Sequence, residues 1–233
     1  MKYLFIALFI AATTLAVGQI VPTVLLKGIV LNGQTRKPIE ATLTFTTSSK
    51  NSKAIVTNSN VAEGGAYQCI LMRGTQYEVT ITANGYCRLR DTITIPDVKS
   101  YSELTRDFVL LPKEIGQRFI VSIPLFEYNL PSLRTGASEE LARYAQFLAD
   151  NPTVHIAIEC YPDRNDSPTA IESLTRRRAE AIKAFFSQRG ISSTRIRVER
   201  ITTIDPYNPP PQKIRPKGRF YFGGTYFVIV AVQ

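Results

Sequence analysis

The sequence contains little that could carry out catalysis. Its 233 residues include one histidine, His155, three cysteines and no tryptophan. A metal site with several histidine ligands is therefore impossible within one chain. A lone histidine also makes the nucleophile and base of a serine or cysteine hydrolase improbable. We predict that the protein is not an enzyme, and that it has no catalytic residue, no metal site and no cofactor.

Cysteine is scarce as well. An odd number of thiols, at Cys69, Cys87 and Cys160, allows at most one disulfide within the chain. Cys69 and Cys87 are the pair expected to share a domain. The sequence leaves open whether they form a disulfide or remain two buried thiols on separate strands, because the two states have the same pattern.

Long apolar runs are confined to the N terminus. Lys2 precedes the apolar residues 3–15, and the small residues Ala16-Val17-Gly18 follow. This layout predicts a secretory signal peptide over residues 1–18. No cysteine precedes Cys69 to carry a lipid, and no later apolar stretch reaches about 18 residues. We therefore expect an exported protein with no transmembrane segment after signal cleavage.

Residues 25–111 alternate between apolar and polar positions in short runs. Clear examples are 41–46, 66–71 and 77–82, and the turn Asn84-Gly85 follows the last of these. Six or seven such runs at roughly 10-residue spacing, without a helical period, predict an antiparallel β-sandwich. We assign it to residues 19–115.

Turn glycines and tyrosines in this half resemble the carboxypeptidase regulatory-like, transthyretin-like domain. The matching segments are Gly28-Ile29-Val30, Lys37-Pro38-Ile39-Glu40-Ala41, Gly65-Ala66-Tyr67, Gly74-Thr75-Gln76-Tyr77 and Gly85-Tyr86. The resemblance implies a non-catalytic spacer or interaction module in a secreted or envelope protein.

The pattern changes near Gly116. Strands are predicted over 119–125, 153–160, 195–201 and 226–232, and amphipathic helices over 138–151 and 171–188. Ser138 is the expected N-cap of the first helix, which must end before Pro152. This order predicts an α/β domain over residues 116–233, with helices on one face of a mixed sheet.

One charged residue of the second helix is predicted to point inward. At about 100° per residue, Arg178 lies within about 40° of the apolar stripe of that helix, whereas Arg176 and Arg177 point away. An inward arginine needs a carboxylate partner, because an unpaired buried charge is costly. Asp163, just past the strand over 153–160, is the acid that a strand-to-helix connection could bring close.

These residues also resemble the OmpA-like domain. The similar segments are Asn151-Pro152, Ile156-Ala157-Ile158-Glu159-Cys160-Tyr161-Pro162-Asp163 and Leu174-Thr175-Arg176-Arg177-Arg178-Ala179. The resemblance implies a periplasmic module that binds peptidoglycan. Asp163 would hold the ammonium of diaminopimelate in the stem peptide, and Arg178 its carboxylate, with Tyr161 and Thr175 in supporting positions.

The chain departs from that family in places. Cys160 and Pro162 stand at its glycine and threonine positions, and Ile171 stands where an asparagine is usual. Before the last strand, Phe222-Gly223-Gly224-Thr225 replaces the family's asparagine and two arginines. Two alternatives follow: Asp163 and Arg178 either bind a ligand, or form a structural salt bridge.

The sequence as a whole predicts a non-enzymatic envelope protein of the periplasm, associated with peptidoglycan or the outer membrane. Its sandwich would engage a partner, such as an outer-membrane or secretion-complex protein. This domain order resembles envelope and type IX secretion proteins of Bacteroidota. The alternative is an OmpA-like domain that binds no glycan and acts as a structural protein–protein module. The net charge of +9 does not predict nucleic-acid binding, because Arg176 and Arg177 are expected to be solvated.

Overall fold

The computed structural model describes residues 23–48, 53–211 and 220–232. The predicted signal peptide lies outside these residues. Within them, no helix combines the length and the apolar character that a membrane crossing requires.

The first half of the chain forms two four-stranded sheets. One contains β1 (Thr23–Asn32), β4 (Ala66–Met72), β7 (Ser102–Thr105) and β8 (Phe108–Leu110). The other contains β2 (Thr42–Thr46), β3 (Ile55–Asn58), β5 (Gln76–Thr82) and β6 (Leu89–Thr94). Alternate residues such as Leu26, Phe45 and Val79 are fully buried in one core shared by both sheets. The period-two pattern therefore marks the inner faces of a sandwich.

The sandwich is not wholly antiparallel, so that part of the prediction was wrong. β1 pairs antiparallel with β4 but parallel with β7 and β8. The alternation of a strand shows which face is buried and carries no information on its direction. Between β7 and β8 the chain bulges against Gly28, where a Cβ atom would lie 1.9 Å from the carbonyl oxygen of Arg106. Only glycine at this position permits the approach.

The second half is an α/β unit. Its elements are β9 (Arg118–Ile120), α1 (Ala137–Asp150), β10 (Val154–Cys160), α2 (Pro168–Gln188), β11 (Ile196–Val198) and β12 (Thr225–Val232). The sheet order is β11-β10-β12-β9, with a parallel β10–β11 pair and antiparallel pairs elsewhere. Apolar residues of both helices share a core with one face of this mixed sheet. The predicted strands over 119–125 and 195–201 are shorter than expected.

Both helices begin earlier than predicted. Gly136, not Ser138, is the N-cap of α1, because the chain enters the helix through a left-handed residue with φ of 86°. α2 begins at Pro168 instead of residue 171. The Ser167 hydroxyl accepts a hydrogen bond from the backbone N–H of Ala170, and proline occupies the first helical position.

The two halves are joined through a buried asparagine. Asn151 accepts a hydrogen bond of 2.7 Å from the backbone N–H of Arg88 and donates one of 3.0 Å to its carbonyl oxygen. Cys87 packs into the core of the α/β unit, whereas Cys69 lies in the sandwich core. Because these two thiols belong to different cores, they are free, as is Cys160.

Candidate functional site

Asp163 and Arg178 are positioned by the end of a strand and the inner face of a helix. Asp163 lies three residues past β10, and Arg178 lies midway along α2. The helical periodicity predicted correctly that Arg178 is buried while Arg176 and Arg177 are exposed. An apolar stripe that packs on the sheet thus carries one cation into the interior.

The structure brings these two side chains into a bidentate ion pair. Arg178 Nη2 lies 2.6 Å from Asp163 Oδ2, and Arg178 Nη1 lies 3.1 Å from Asp163 Oδ1. The side chains are only 2% and 1% exposed, respectively. Parallel N–H···O bonds between a guanidinium and a carboxylate are among the strongest polar contacts in proteins.

The remaining capacity of Asp163 is filled by backbone donors. The N–H of Asn129 donates to Oδ2 over 2.6 Å, and the N–H of Gly223 donates to Oδ1 over 2.9 Å. With two bonds from Arg178, each carboxylate oxygen accepts two hydrogen bonds. The carboxylate therefore has no free position for a further donor.

Arg178 is equally saturated. Its Nε donates to the carbonyl oxygen of Leu130 over 2.9 Å, and its Nη2 to that of Glu127 over 3.2 Å. Its Nη1 donates to the carbonyl oxygen of Tyr161, also over 3.2 Å. Together with the two bonds to Asp163, these contacts use all five N–H groups of the guanidinium.

A loop that we name the cover segment, residues 126–134, supplies three of these contacts. Its ends are joined by a backbone bridge between Phe126 and Leu133. Asn129 at its tip has a φ of 56°, a left-handed conformation that asparagine tolerates better than most residues. The ring of Tyr128 packs 4.5 Å from that of Phe220. The cover segment thus closes over the ion pair from the solvent side.

Because of this cover, the two side chains do not face a solvent-accessible cleft. An open cavity of about 260 Å³ lies beside the cover segment. Asn129 forms part of its wall, together with Pro162, Arg164 and Arg177. A ligand entering this cavity reaches the pair only if Asn129 and its neighbours move.

The two predicted supporting residues lie nearby but do not touch the pair with their side chains. Tyr161 contributes only its carbonyl oxygen, and its ring packs with Ile201 and Tyr226. The Thr175 hydroxyl has one proton to donate, and the carbonyl oxygens of Ile201, at 3.2 Å, and Glu172, at 3.3 Å, share it. Thr175 therefore fastens α2 to the chain after β11.

Sequence reasoning missed Gly223 as a site residue. A Cβ atom there would lie 2.3 Å from the carbonyl oxygen of Tyr161 and 2.4 Å from that of Pro162. Glycine therefore lets the backbone N–H reach Asp163. The available signal was the departure of Phe222-Gly223-Gly224-Thr225 from the OmpA-like pattern.

A second buried carboxylate, Asp205, was also missed. It is 0% exposed and accepts bonds from the backbone N–H groups of Tyr207, Asn208 and Gly224 and from the hydroxyl of Tyr226. It ties the loop after β11 to the start of β12. No spacing or motif distinguishes it in the sequence.

Cys160, the last residue of β10, is chemically protected. Burial raises the pKa of its thiol to about 12, and the opposing effects of Thr225 and the Arg178 charge are smaller. A thiol with a raised pKa is a poor nucleophile and a poor metal ligand at neutral pH. Among the described residues, no group of three histidine, cysteine, aspartate or glutamate side chains could hold a metal ion.

Comparison with known family models gives one match, within the second half of the chain. The model of the OmpA family matches residues 125–214. Residues 125–214 thus form an OmpA family domain, and this range includes both Asp163 and Arg178. It also includes the whole cover segment.

Solved structures show weaker likenesses. The periplasmic domain of Helicobacter pylori MotB is 17% identical, with 50% of this chain and 83% of that chain covered and a TM-score of 0.41. Hydroxyquinol 1,2-dioxygenase from Pseudomonas putida DLL-E4 is 12% identical, and 3-chlorocatechol 1,2-dioxygenase from Rhodococcus opacus 1CP is 13% identical. Each covers 39% of this chain at a TM-score of 0.31, and the chain spans 57% and 59% of their lengths. None of these likenesses is high enough to indicate a function.

Proposed function

We propose that this protein is a non-enzymatic envelope protein whose OmpA family domain binds the peptide stem of peptidoglycan through Asp163 and Arg178. The observation that carries the proposal is the bidentate ion pair itself, at the end of a strand and on the inner face of a helix within the family match. OmpA-like domains with an aspartate and an arginine in this pattern are peptidoglycan-binding modules. The protein would act in the periplasm.

The chemistry of such a pair suits the free end of diaminopimelate. This end is a zwitterion, with an ammonium and a carboxylate on the same carbon. A carboxylate such as Asp163 accepts the ammonium, and the planar guanidinium of Arg178 takes the ligand carboxylate through two N–H donors.

Binding to isolated sacculi tests the proposal. The mature chain should sediment with purified peptidoglycan, and Asp163→Ala and Arg178→Ala should remove most of this binding. Arg176→Ala is the matched control, because Arg176 lies two residues away on the exposed side of the same helix. Circular dichroism should show that each variant is folded. A parent chain that stays in the supernatant would contradict the proposal.

A second candidate function is favoured by the saturation of the pair. Every donor of Arg178 and every acceptor position of Asp163 is filled by the chain itself. A closed pair of this kind would suit a structural module that binds a protein partner and no glycan. The parent would then not bind sacculi, although the fold would still depend on both residues.

The sandwich would present a surface to an envelope partner in either case. Its solvent-facing side includes exposed apolar residues on β4, Ile70 and Met72. An outer-membrane or secretion-complex protein is the proposed class of partner. Chemical crosslinking in cells, compared between the full chain and the chain with Ile70→Ser and Met72→Ser, would test whether this face makes the contact.

A further inference from the structure

The cover segment presents groups to Asp163 and Arg178 that have the same polarity as a bound amino acid. We propose that residues 126–134 act as an internal substitute for the ligand, and that they must leave the pair before a zwitterionic headgroup can bind. This inference rests on the proposed function. The inference adds that, in this structure, the protein's own residues 126–134 occupy the position of the ligand.

The groups that the cover segment presents to Arg178 and to Asp163 each correspond to one group of the ligand. The carbonyl oxygens of Leu130 and Glu127 accept from Nε and Nη2 of Arg178, where a ligand carboxylate would accept. The N–H of Asn129 donates to Asp163 Oδ2, where a ligand ammonium would donate. The cover segment thus provides two acceptors for the base and one donor for the acid.

The other bonds to the pair come from the framework. The carbonyl oxygen of Tyr161 follows β10, and the N–H of Gly223 precedes β12. These two bonds and the ion pair itself would remain after the cover segment moves. Withdrawal would then free two N–H donors on Arg178 and one acceptor position on Asp163. A ligand carboxylate needs N–H donors and a ligand ammonium needs an acceptor, so a zwitterionic amino acid matches the freed groups.

The energetics favour replacement of the cover segment by a charged ligand. Backbone carbonyl and N–H groups are neutral, whereas the ligand carboxylate and ammonium are charged. The bonds from the cover segment already have one ionised partner, Arg178 or Asp163, and are charge-assisted. A ligand carboxylate and ammonium would add a second, opposite charge at these positions, and this Coulombic attraction would favour the ligand over the segment.

The outer side of the cover segment is held mainly by ring contacts. Tyr128 packs on Phe220 and Phe222, and the guanidinium of Arg134 lies 5.0 Å from the Phe222 ring. Leu130 is 52% exposed. Asn129 lines the adjacent cavity of about 260 Å³, so the rest of a stem peptide would lie beside the displaced loop. Phe126 is buried, and it would anchor one end while the tip swings.

Two substitutions at Asn129 distinguish displacement of the cover segment from an unrelated effect of changing this residue. Asn129→Pro removes the N–H that donates to Asp163, and its φ, restricted to about −65°, cannot reach the observed positive value. Asn129→Gly keeps both the N–H and the left-handed backbone. Hydrogen exchange over residues 126–134 should be fast in the proline variant and remain slow in the parent and the glycine variant.

Binding of these variants to purified sacculi and to free meso-diaminopimelate provides the test. We expect Asn129→Pro to bind about tenfold more tightly than the parent, and Asn129→Gly to bind within about twofold of it. Equal binding by an opened proline variant and the parent would overturn the inference and leave the proposed function intact. No binding by any variant, with opening shown by hydrogen exchange, would overturn the proposed function and the inference together.

A locked variant keeps the inference testable if the proline variant does not fold. Cysteines at positions 128 and 220 (Tyr128→Cys with Phe220→Cys) can be joined by a short thiol-reactive crosslinker, because the native rings are 4.5 Å apart and the native thiols are buried. The crosslinked chain should lose binding to sacculi, whereas the same chain without crosslinker should bind. Full binding by the crosslinked chain would contradict the inference.

Discussion

Asp163 and Arg178 are 15 residues apart in the chain and form two hydrogen bonds inside the protein, of 2.6 and 3.1 Å. The pair connects the end of β10 to α2, and the cover segment and Gly223 are bonded to it. A single ion pair therefore holds four separate segments of the α/β unit together. Its loss would affect the fold as well as any ligand.

Removal of the arginine alone is expected to be strongly destabilising. Arg178→Ala leaves the carboxylate of Asp163 buried without its cation, which should lower the free energy of unfolding by about 3–5 kcal/mol. Replacement of both residues by leucine should cost less than the sum of the two single changes, because neither charge is then left alone. Urea unfolding measures these differences. Arg176→Ala should stay within about 0.5 kcal/mol of the parent, and an equally small change for Arg178→Ala would refute this view of the pair.

Gly223 should tolerate no side chain, although its φ lies outside the left-handed region. In Gly223→Ala the new methyl group would meet the carbonyl oxygens of Tyr161 and Pro162 at 2.3 and 2.4 Å. The resulting shift would also weaken the bond from its N–H to Asp163. We expect a loss of about 1–3 kcal/mol, accompanied by faster hydrogen exchange in the cover segment.

Gly190→Ala is the comparison for that change. Gly190 has a φ of 81° and no atom within 4 Å of an added Cβ, so alanine there adds backbone strain without a clash. Its cost should be about 1 kcal/mol and should leave the cover segment unchanged. A larger exchange effect from Gly190→Ala than from Gly223→Ala would contradict our view of Gly223.

The sequence revealed those features that depend on side-chain periodicity. Alternation located most strands of the sandwich, and the helical stripe placed Arg178 inside, because burial repeats every second or every third to fourth residue. The acid was then found as the partner that an inward arginine needs. The direction of β1 relative to β7 and β8 was missed, since parallel and antiparallel neighbours bury the same face.

The periodicity of the sequence could not show that the cover segment closes over the ion pair. The contacts from Glu127, Asn129 and Leu130 are made by backbone atoms, and every residue carries those atoms. The amino-acid sequence of a loop therefore does not show whether its backbone folds over an ion pair or stays in solvent. Only the positive φ of Asn129 has a sequence preference, and asparagine is common in ordinary turns as well.

The stability of the protein should fall in alkaline solution. Burial raises the pKa of Cys69 and Cys87 to about 11 and that of Cys160 to about 12, against an ordinary value of 9.0. At pH 7 and below the thiols are protonated in both states and contribute nothing. Above pH 9 the unfolded chain loses these protons first, so it binds fewer protons than the folded chain and the free energy of unfolding decreases as pH rises.

The expected loss is roughly 1 kcal/mol per thiol between pH 9 and 10. Urea unfolding at pH 8, 9 and 10 measures it. Burial also raises the pKa of Tyr67, Tyr144, Tyr161 and Tyr226, and these groups add to the slope near pH 10. Cys160→Ala removes one of the three thiols and should reduce the slope by about a quarter, although it also lowers stability at every pH. An unchanged slope in that variant, or no decrease in the parent, would contradict the expectation.

Asn151 should control whether the two halves unfold together. Its side chain is buried and makes both hydrogen bonds to the backbone of Arg88. In Asn151→Ala both Arg88 groups lose their partner, at a cost of about 1–3 kcal/mol each where water cannot replace it. The packing of Cys87 in the α/β core and the 3.0 Å ion pair between Arg90 and Asp150 remain in this variant. We therefore expect the calorimetric transition to broaden, with the sandwich and the α/β unit melting at different temperatures. Glu180→Ala, on the exposed side of α2, should retain the profile of the parent. If Asn151→Ala shifts one undivided transition, the contact stabilises the α/β unit and does not couple the two halves.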